Sequence, residues 1–286
     1  MIPQVDIMMP VYNGLPHIKD SIASILAQTY SHWHCIICDD GSTDGTFGYL
    51  RTLEADSRFT LLRNERNQGR GPARQRILDA SAAPYICMLD AGDMMHPERI
   101  ALQVEYLEQN PGVGLVSSGM LSFGTTSDLF RVRGFGSGQV ESFTGRGSVC
   151  FAPSMFRAAI AKAAGVGFGS FSQCEDSYFL TRYYARNPLY YSIPRALYYY
   201  NEFDSLSKSD TLLSYLQLML IGLRNKDLGS VVLNLAKFGA SLFILPFVSM
   251  EKRAAARGRE ATEEEAREFE NFVTFTTKAA KCQNRN

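Results

Sequence analysis

Asp39-Asp40-Gly41-Ser42-Thr43-Asp44-Gly45-Thr46 follows directly on the apolar run Trp33-His34-Cys35-Ile36-Ile37-Cys38. A short apolar run that ends in two carboxylates and then a Gly/Ser/Thr turn reads as a buried strand with acids at its carboxyl end. That is the edge where open α/β sheets bind their ligands. The pattern recurs where Tyr85-Ile86-Cys87-Met88-Leu89 leads into Asp90-Ala91-Gly92-Asp93, with Pro97 predicted to open a helix. Two acidic strand ends point to a polar, phosphate-bearing ligand handled with a metal ion.

Working outward from these stretches, strand-like apolar runs fall at 5–11, 33–38, 59–63, 85–89 and 113–117. Helix-like segments separate them at 18–28, 47–54, 71–80 and 97–109, the first with Ile18, Ile22, Ile25 and Leu26 on one stripe. Such alternation predicts an α/β fold with a mainly parallel, Rossmann-like sheet and helices on both faces. Between 123 and 147 the glycines Gly134, Gly136, Gly138, Gly145 and Gly147 predict loops and short irregular strands. Further on, 155–164 and 175–187 read as helices, and 189–193 and 197–200 as two short strands. The expected organisation is a domain over 1–210, divided at about 120 into two halves that the family resemblance given below marks as donor and acceptor halves, and a helical appendage over 211–286.

With 286 residues the chain is long enough to bury a large core. Its 29 basic and 29 acidic residues balance, which gives no electrostatic reason to expect nucleic acid, and a small-molecule partner is expected instead. No secretory-type leader follows Met1, so a cytoplasmic location is expected. Of the six cysteines, Cys35 and Cys38 lie three apart on a predicted strand and so point to opposite faces, which argues against a shared ion. They are expected to be reduced apolar fillers.

The order of several motifs resembles glycosyltransferase family two. The stretches that carry the resemblance are Ile7-Met8-Met9-Pro10-Val11-Tyr12-Asn13-Gly14, Ser24-Ile25-Leu26-Ala27-Gln28-Thr29-Tyr30, the Asp39 stretch, Asn67-Gln68-Gly69, Ala73-Arg74, the second acidic strand end and Glu175-Asp176. The resemblance implies a GT-A fold and an inverting transfer from a nucleotide-diphosphate sugar, expected to be UDP-linked. The acceptor would be a hydroxyl of a glycan or lipid-linked molecule, as in bacterial surface polysaccharide synthesis.

The resemblance also implies roles. Asp40 would accept the uracil N3–H, and Pro10, Val11 and Tyr12 would border the base. Arg74 would face the diphosphate, Asp176 would act as general base and Glu175 as its neighbour at the helix start. Without the family, Asp39 reads as a turn residue bonding loop amides, Asp44 as a helix cap and Glu175-Asp176 as acids favourable to a helix dipole. Tyr190, Tyr191, Tyr198, Tyr199 and Tyr200 read as core packing.

Three positions depart from the family pattern. Members usually read Asp-x-Asp-Asp at the second strand end, where this chain has Gly92 at the main metal position. A magnesium or manganese ion is still expected, with Asp93 as the direct ligand and Asp90 nearer the ribose. Asn201 and Phe203 stand where an arginine and a histidine are common. Two rivals follow: a non-catalytic sugar-nucleotide binder, and a sugar nucleotidyltransferase, which lacks support because Pro10-Val11-Tyr12-Asn13-Gly14 is not a basic Gly-rich loop.

In the tail, 212–223 and 231–248 are strongly apolar but are interrupted by Asn234, Lys237 and Pro246. The segment 252–270 is a charged helix former with Glu263 four residues before Arg267. The tail reads either as a packed appendage or as a peripheral membrane contact, the latter helped by Lys252, Arg253, Arg257 and Arg259.

Overall fold

A computed structural model describes residues 4–15, 17–123, 130–143, 149–163, 165–171, 174–202, 208–244 and 258–283. Phe203, Gly145, Gly147, Pro246, Lys252, Arg253 and Arg257, singled out above, lie outside the described residues. In chain order the first half contains β1 (Val5–Val11), α1 (Ile18–Leu26), β2 (Trp33–Asp39), α2 (Thr46–Arg51), β3 (Phe59–Arg63), α3 (Arg70–Ala80), β4 (Tyr85–Met88), β5 (Met94–Met95) and α4 (Arg99–Gln109). There follow β6 (Leu115–Phe123), β7 (Arg131–Arg133), β8 (Glu141–Ser142), β9 (Met155–Arg157), α5 (Ala158–Ala161), α6 (Glu175–Tyr184) and β10 (Leu189–Asn201). The last elements are α7 (Lys208–Arg224), α8 (Leu228–Ile244), β11 (Arg259–Glu260) and α9 (Glu263–Gln283).

The sheet runs β3-β2-β1-β4-β9-β6-β7-β11, with β10 parallel to β6. Its first four strands are parallel, as the alternation predicts. The chain moves outward from β1 to β3 and then returns to place β4 on the other side of β1. This reversal opens a crevice at the carboxyl ends of β1, β2 and β4. The second half is mixed, because β9 is antiparallel to both β4 and β6.

Period-two alternation divides the core between the two faces. Ile7, Met9, Cys35 and Ile37 face Ile18, Ile22 and Ile25 of α1 and Ile100, Val104 and Leu107 of α4. Met8, Ile36 and Cys38 face Ala73 and Ile77 of α3 and Phe179 and Tyr183 of α6. Cys35 and Cys38 thus sit in separate clusters, both as free thiols, and burial pushes the Cys38 thiol up to about 11.

Three expectations are corrected. The helix expected over 155–164 begins as strand β9, whose Met155 and Phe156 pack on opposite faces of the sheet, and only Ala158–Ala161 is helical. Three residues are too few to display a period of two. The two strands expected over 189–200 are one, β10, whose register with β6 shifts between Ile193 and Ala196 and again before Tyr198. Pro194, which has no N–H to give to the ladder, lies in the first of these irregularities. Within the expected tail helix, Arg259 and Glu260 instead pair with Val132 and Arg131 of β7.

The tail elements behave differently from one another. Phe269 and Phe272 of α9 are buried against Tyr199, Leu121 and Val132, and Glu268 bonds His96 Nε2 at 2.9 Å. Helices α7 and α8 form a hairpin packed mainly on itself, and among the described residues no helix is long and apolar enough to cross a membrane.

Candidate active site

The loops after β1 and β2 are laced together. Asn13 N donates to Ser42 Oγ at 2.9 Å, Thr43 N to Asn13 Oδ1 at 2.9 Å and Gly14 N to Thr46 Oγ1 at 2.9 Å. Asp44 accepts from Leu15 N at 3.1 Å and from Thr46 N at 3.0 Å and so ties both loops at once, but the N-cap of α2 is Gly45 and not Asp44 as expected. Pro10 and Val11 are buried, Val11 O accepts from Asp40 N at 2.8 Å, and Tyr12 stands 47% exposed above them.

Asp40 is 3% exposed, and both of its oxygens are engaged. They accept from Asn64 Nδ2 at 2.7 Å, Gln68 N at 3.0 Å and Gly69 N at 2.7 Å. Arg76 in turn donates to Asn64 Oδ1 at 2.6 Å. Asp40 therefore acts first as a tie between the end of β2 and the turn that starts α3. Gly41 makes this approach feasible: its φ is +75°, and a Cβ there would lie 2.7 Å from the Arg66 backbone. Asp39 is fully buried, with Arg63 Nε 3.4 Å from Oδ2 and Ser42 N 3.4 Å from Oδ1.

Arg74, one turn into α3 and 3% exposed, joins the two remaining acidic groups. Its Nη1 donates to Glu175 Oε1 at 2.5 Å and its Nη2 to Asp90 Oδ1 at 2.6 Å, while the guanidinium lies 5.5 Å from the Phe151 ring centre. Residues 16 and 101 positions apart are thus brought onto one planar fork, a geometry that suits arginine and not lysine. Burial raises the Glu175 carboxyl above its ordinary range, against the pull of Arg74 and Arg70. Burial also acts upward on Asp90, but there the Arg74 and Arg70 charges win and hold it low. Glu175 Oε2 is buried without a hydrogen-bond partner. Asp176, half-buried beside it, accepts from Ser177 N at 2.7 Å and contributes to the field at Arg74.

At the second strand end the two aspartates part company. Asp90 keeps 27% of its side chain exposed, whereas Asp93 is 4% exposed. Tyr198 Oη donates to Asp93 Oδ2 at 2.5 Å, and Asn201 N donates to Oδ1 at 2.8 Å. Burial, followed by the nearby charge of Asp90, pushes the Asp93 carboxyl well above its usual range. Asp90 thus keeps a carboxylate edge at the crevice, whereas Asp93, expected as the direct metal ligand, would have to abandon Tyr198 and Asn201 to reach an ion. Gly92 between them has φ +102°, with nothing nearer than 3.7 Å to a built Cβ, so backbone conformation and not space favours glycine. Among the described residues no three His, Cys, Asp or Glu side chains cluster as a ready metal cage.

Sequence reading missed the residues that hold this loop. Ser21 of α1 accepts from Gly92 N at 2.9 Å and donates to Asp93 O at 2.7 Å. Arg99, fully buried, donates to Met88 O at 2.8 Å and to Ser154 O at 3.2 Å, and lies 5.0 Å from the Tyr198 ring centre. The tyrosines of β10 do pack as expected, Tyr191 stacking on Tyr106 at 3.9 Å, but the Tyr198 hydroxyl also serves the site.

A family model described as Glycosyl transferase family 2 matches residues 6–165. The putative glycosyltransferase EpsE of Bacillus subtilis is 36% identical over 134 residues, or 46% of this chain and 47% of that protein. WfgD of Escherichia coli, a UDP-Glc:alpha-D-GlcNAc-diphosphoundecaprenol beta-1,3-glucosyltransferase, is 37% identical over 107 residues, or 37% of this chain and 42% of that protein. The chain thus spans about half the length, or less, of these curated relatives. Among solved structures, S. aureus TarS in complex with UDP-GlcNAc superposes with a TM-score of 0.65 at 17% identity, covering 96% of this chain and 80% of that one. The mannosyltransferase PcManGT of Pyrobaculum calidifontis, in complex with GDP-Man and Mn2+, gives 0.62 at 16% identity, covering 97% and 84%. At such identities the structural likeness speaks for the fold alone.

Proposed function

Because the chain belongs to glycosyl transferase family 2 and has the GT-A fold, we propose that it moves a sugar from a nucleotide-diphosphate donor, UDP-linked, to a hydroxyl of a lipid-linked or glycan acceptor, with inversion at the anomeric carbon. The observation that carries this reading is the Arg74 fork. It ties Asp90, on the donor side of the crevice, to Glu175, the first residue of the helix that bears Asp176. Donor phosphates and the acceptor base are thereby held against one buried cation.

Each residue has a defined part. Tyr12 packs against the base, and Asp40 keeps the Gln68–Gly69 turn in place beside it. The acceptor oxygen attacks the anomeric carbon while its proton passes to Asp176, and the bond from that carbon to the diphosphate breaks with its electron pair leaving on the diphosphate. Arg74 offsets charge on that leaving group without reorganising, since it is already fixed by two carboxylates. A divalent ion that takes most of its oxygens from water and the diphosphate needs only one or two protein carboxylates, and Asp90 fits that part. When bound, such an ion neutralises charge on the departing diphosphate. WfgD, whose acceptor is an alpha-D-GlcNAc-diphosphoundecaprenol, supports a lipid-linked acceptor and with it a role in bacterial polysaccharide synthesis.

The test is Asp176→Asn. Transfer should fall about 10²- to 10⁴-fold while UDP affinity, read by calorimetry, stays unchanged. Transfer within about threefold of wild type would remove Asp176 from the role of base.

A further inference from the structure

Helices α7 and α8 are built inside out. Along α7, Leu213, Leu216, Leu220 and Leu223 recur at spacings of three and four and are all exposed. Along α8, Leu228, Val232 and Leu235 do the same and Leu242 follows two turns on, with Leu228 at 71% and Phe243 at 78% exposure. Beside Ile221, which is buried, the interior of the hairpin takes polar and small residues: Gln217, Asn234 and Ser241 are buried, and a Cβ on Gly222 would lie 3.0 Å from Val231 Cγ2. Asn234 Nδ2 satisfies itself on Ser230 O at 2.8 Å.

A helix pair in water puts its apolar stripe inside and its polar face outside. Polar and small residues between helices, with leucines outside, is the pattern favoured where the surroundings are hydrocarbon. We propose that the α7–α8 hairpin lies in the surface layer of an anionic lipid bilayer and seats the active site on it. A second copy of the chain would also cover leucines, but it would not explain why Gln217, Asn234 and Ser241 are buried between the helices.

Length and charge agree with a surface position. Over its described residues each helix has 17 residues, about 25 Å, and among the described residues no helix is long and apolar enough to cross a membrane. Arg224 and Lys226 flank the turn between the helices, Lys237 is exposed midway along α8, and Asp227 is occupied in capping α8 through Ser230 N at 3.0 Å. Basic side chains at this level reach the phosphates of anionic lipid while their stems stay with the apolar face.

The hairpin is also fastened to the site. Cys174, the residue before Glu175 and Asp176, donates its thiol to Ser214 O of α7 at 3.6 Å, and Arg224 lies 4.8 Å from the Phe171 ring centre. A bilayer under α7 and α8 would thus lie next to the start of the helix that carries the general base. The lipid-linked acceptor in this picture rests on the proposed function, but the docking itself does not.

Flotation of the full chain with phosphatidylcholine vesicles, with and without phosphatidylglycerol, tests this directly. Wild type should float with the anionic vesicles, and Val232→Glu/Leu235→Glu should reduce the bound fraction about tenfold or more. UDP affinity should be the same in both proteins, which shows that the variant folds and keeps the donor reading separate. In a second measurement, Leu220→Trp should emit further to the blue on vesicles and be quenched by brominated acyl chains. Protein that binds UDP yet stays at the bottom with anionic vesicles would overturn the proposal. So would a dimer in light scattering that the same two substitutions dissolve. Flotation without sugar transfer would leave the docking standing and count against the proposed reaction.

Discussion

At the end of β2, Asp40 accepts from two backbone amides and an asparagine, and Asp39 is sealed beneath it; at the end of β4, Asp90 stays at the crevice and shares Arg74 with a residue from the far half of the chain. The two strand ends look alike in sequence, as apolar runs that end in aspartates. One has turned its carboxylates into architecture, the other leaves one carboxylate at the crevice and folds Asp93 away under Tyr198. The difference lies in where the donors come from. Amides of a neighbouring loop close an acid off, whereas a side chain from α3 fixes it and leaves an edge free.

The most disruptive way to break this contrast is Arg74→Leu. Removing one partner of a buried ion pair costs about 3–5 kcal/mol, and here it strands both Glu175 and Asp90. A urea midpoint unchanged from wild type would show that the two acids do not depend on the fork. Asp40→Ala should come next, at about 2–3 kcal/mol, because the amides of Gln68 and Gly69 are left unpaired. Asp90→Asn should lose transfer activity yet cost less stability than Asp40→Ala in the same melts. If the order of stabilities were inverted, the division between architecture and chemistry would be wrong.

Gly92→Asp restores the family's acid at the second end but must do so at φ +102°. We expect a loss of roughly 1–2 kcal/mol and no gain in manganese-dependent UDP affinity. A tighter complex without loss of stability would mean that the loop can adopt the other backbone.

The smallest effect sharpens the comparison from just behind the second end. Burial lowers the His96 pKa, against the opposing pull of its bond to Glu268. A depressed folded-state value means stability that is complete above the ordinary pKa of about 6.5 and is lost as pH falls through the lowered one. The stability advantage of wild type over His96→Gln, read from urea melts at a series of pH values, should therefore narrow on acidification.

The parallel half of the fold was legible because each of its strands is an apolar run between breakers, and Ile18, Ile22 and Ile25 mark the face of α1 that meets it. The mixed half was not: β9 is too short to show a period, and β10 hides one strand behind Pro194. At the site, Asp90, Arg74 and Glu175 could be singled out through the family resemblance, but not that a single guanidinium would hold both acids. Nor could Tyr198, Ser21 or Arg99 be found, since a buried tyrosine, serine or arginine reads as packing or surface until its partners are known. In the tail, composition distinguished apolar from charged segments. Only solvent exposure shows that α9 turns Phe269 and Phe272 inward while α7 and α8 turn Leu213, Leu216, Leu220, Leu228 and Leu235 out.

The lacing between the loops after β1 and β2 bears on how a nucleotide would be met. Asn13, Gly14 and Leu15 are tied to Ser42, Thr43, Asp44 and Thr46 by direct bonds. A pocket fixed in this way spends little ordering entropy when its ligand arrives. Association should then resemble a single-step encounter, with a rate that rises in proportion to nucleotide concentration and shows no plateau from a slow conformational step. Cutting one strap, as in Asn13→Ala, would return that cost to the moment of binding, and the kinetics would register the change even where the equilibrium hardly moved.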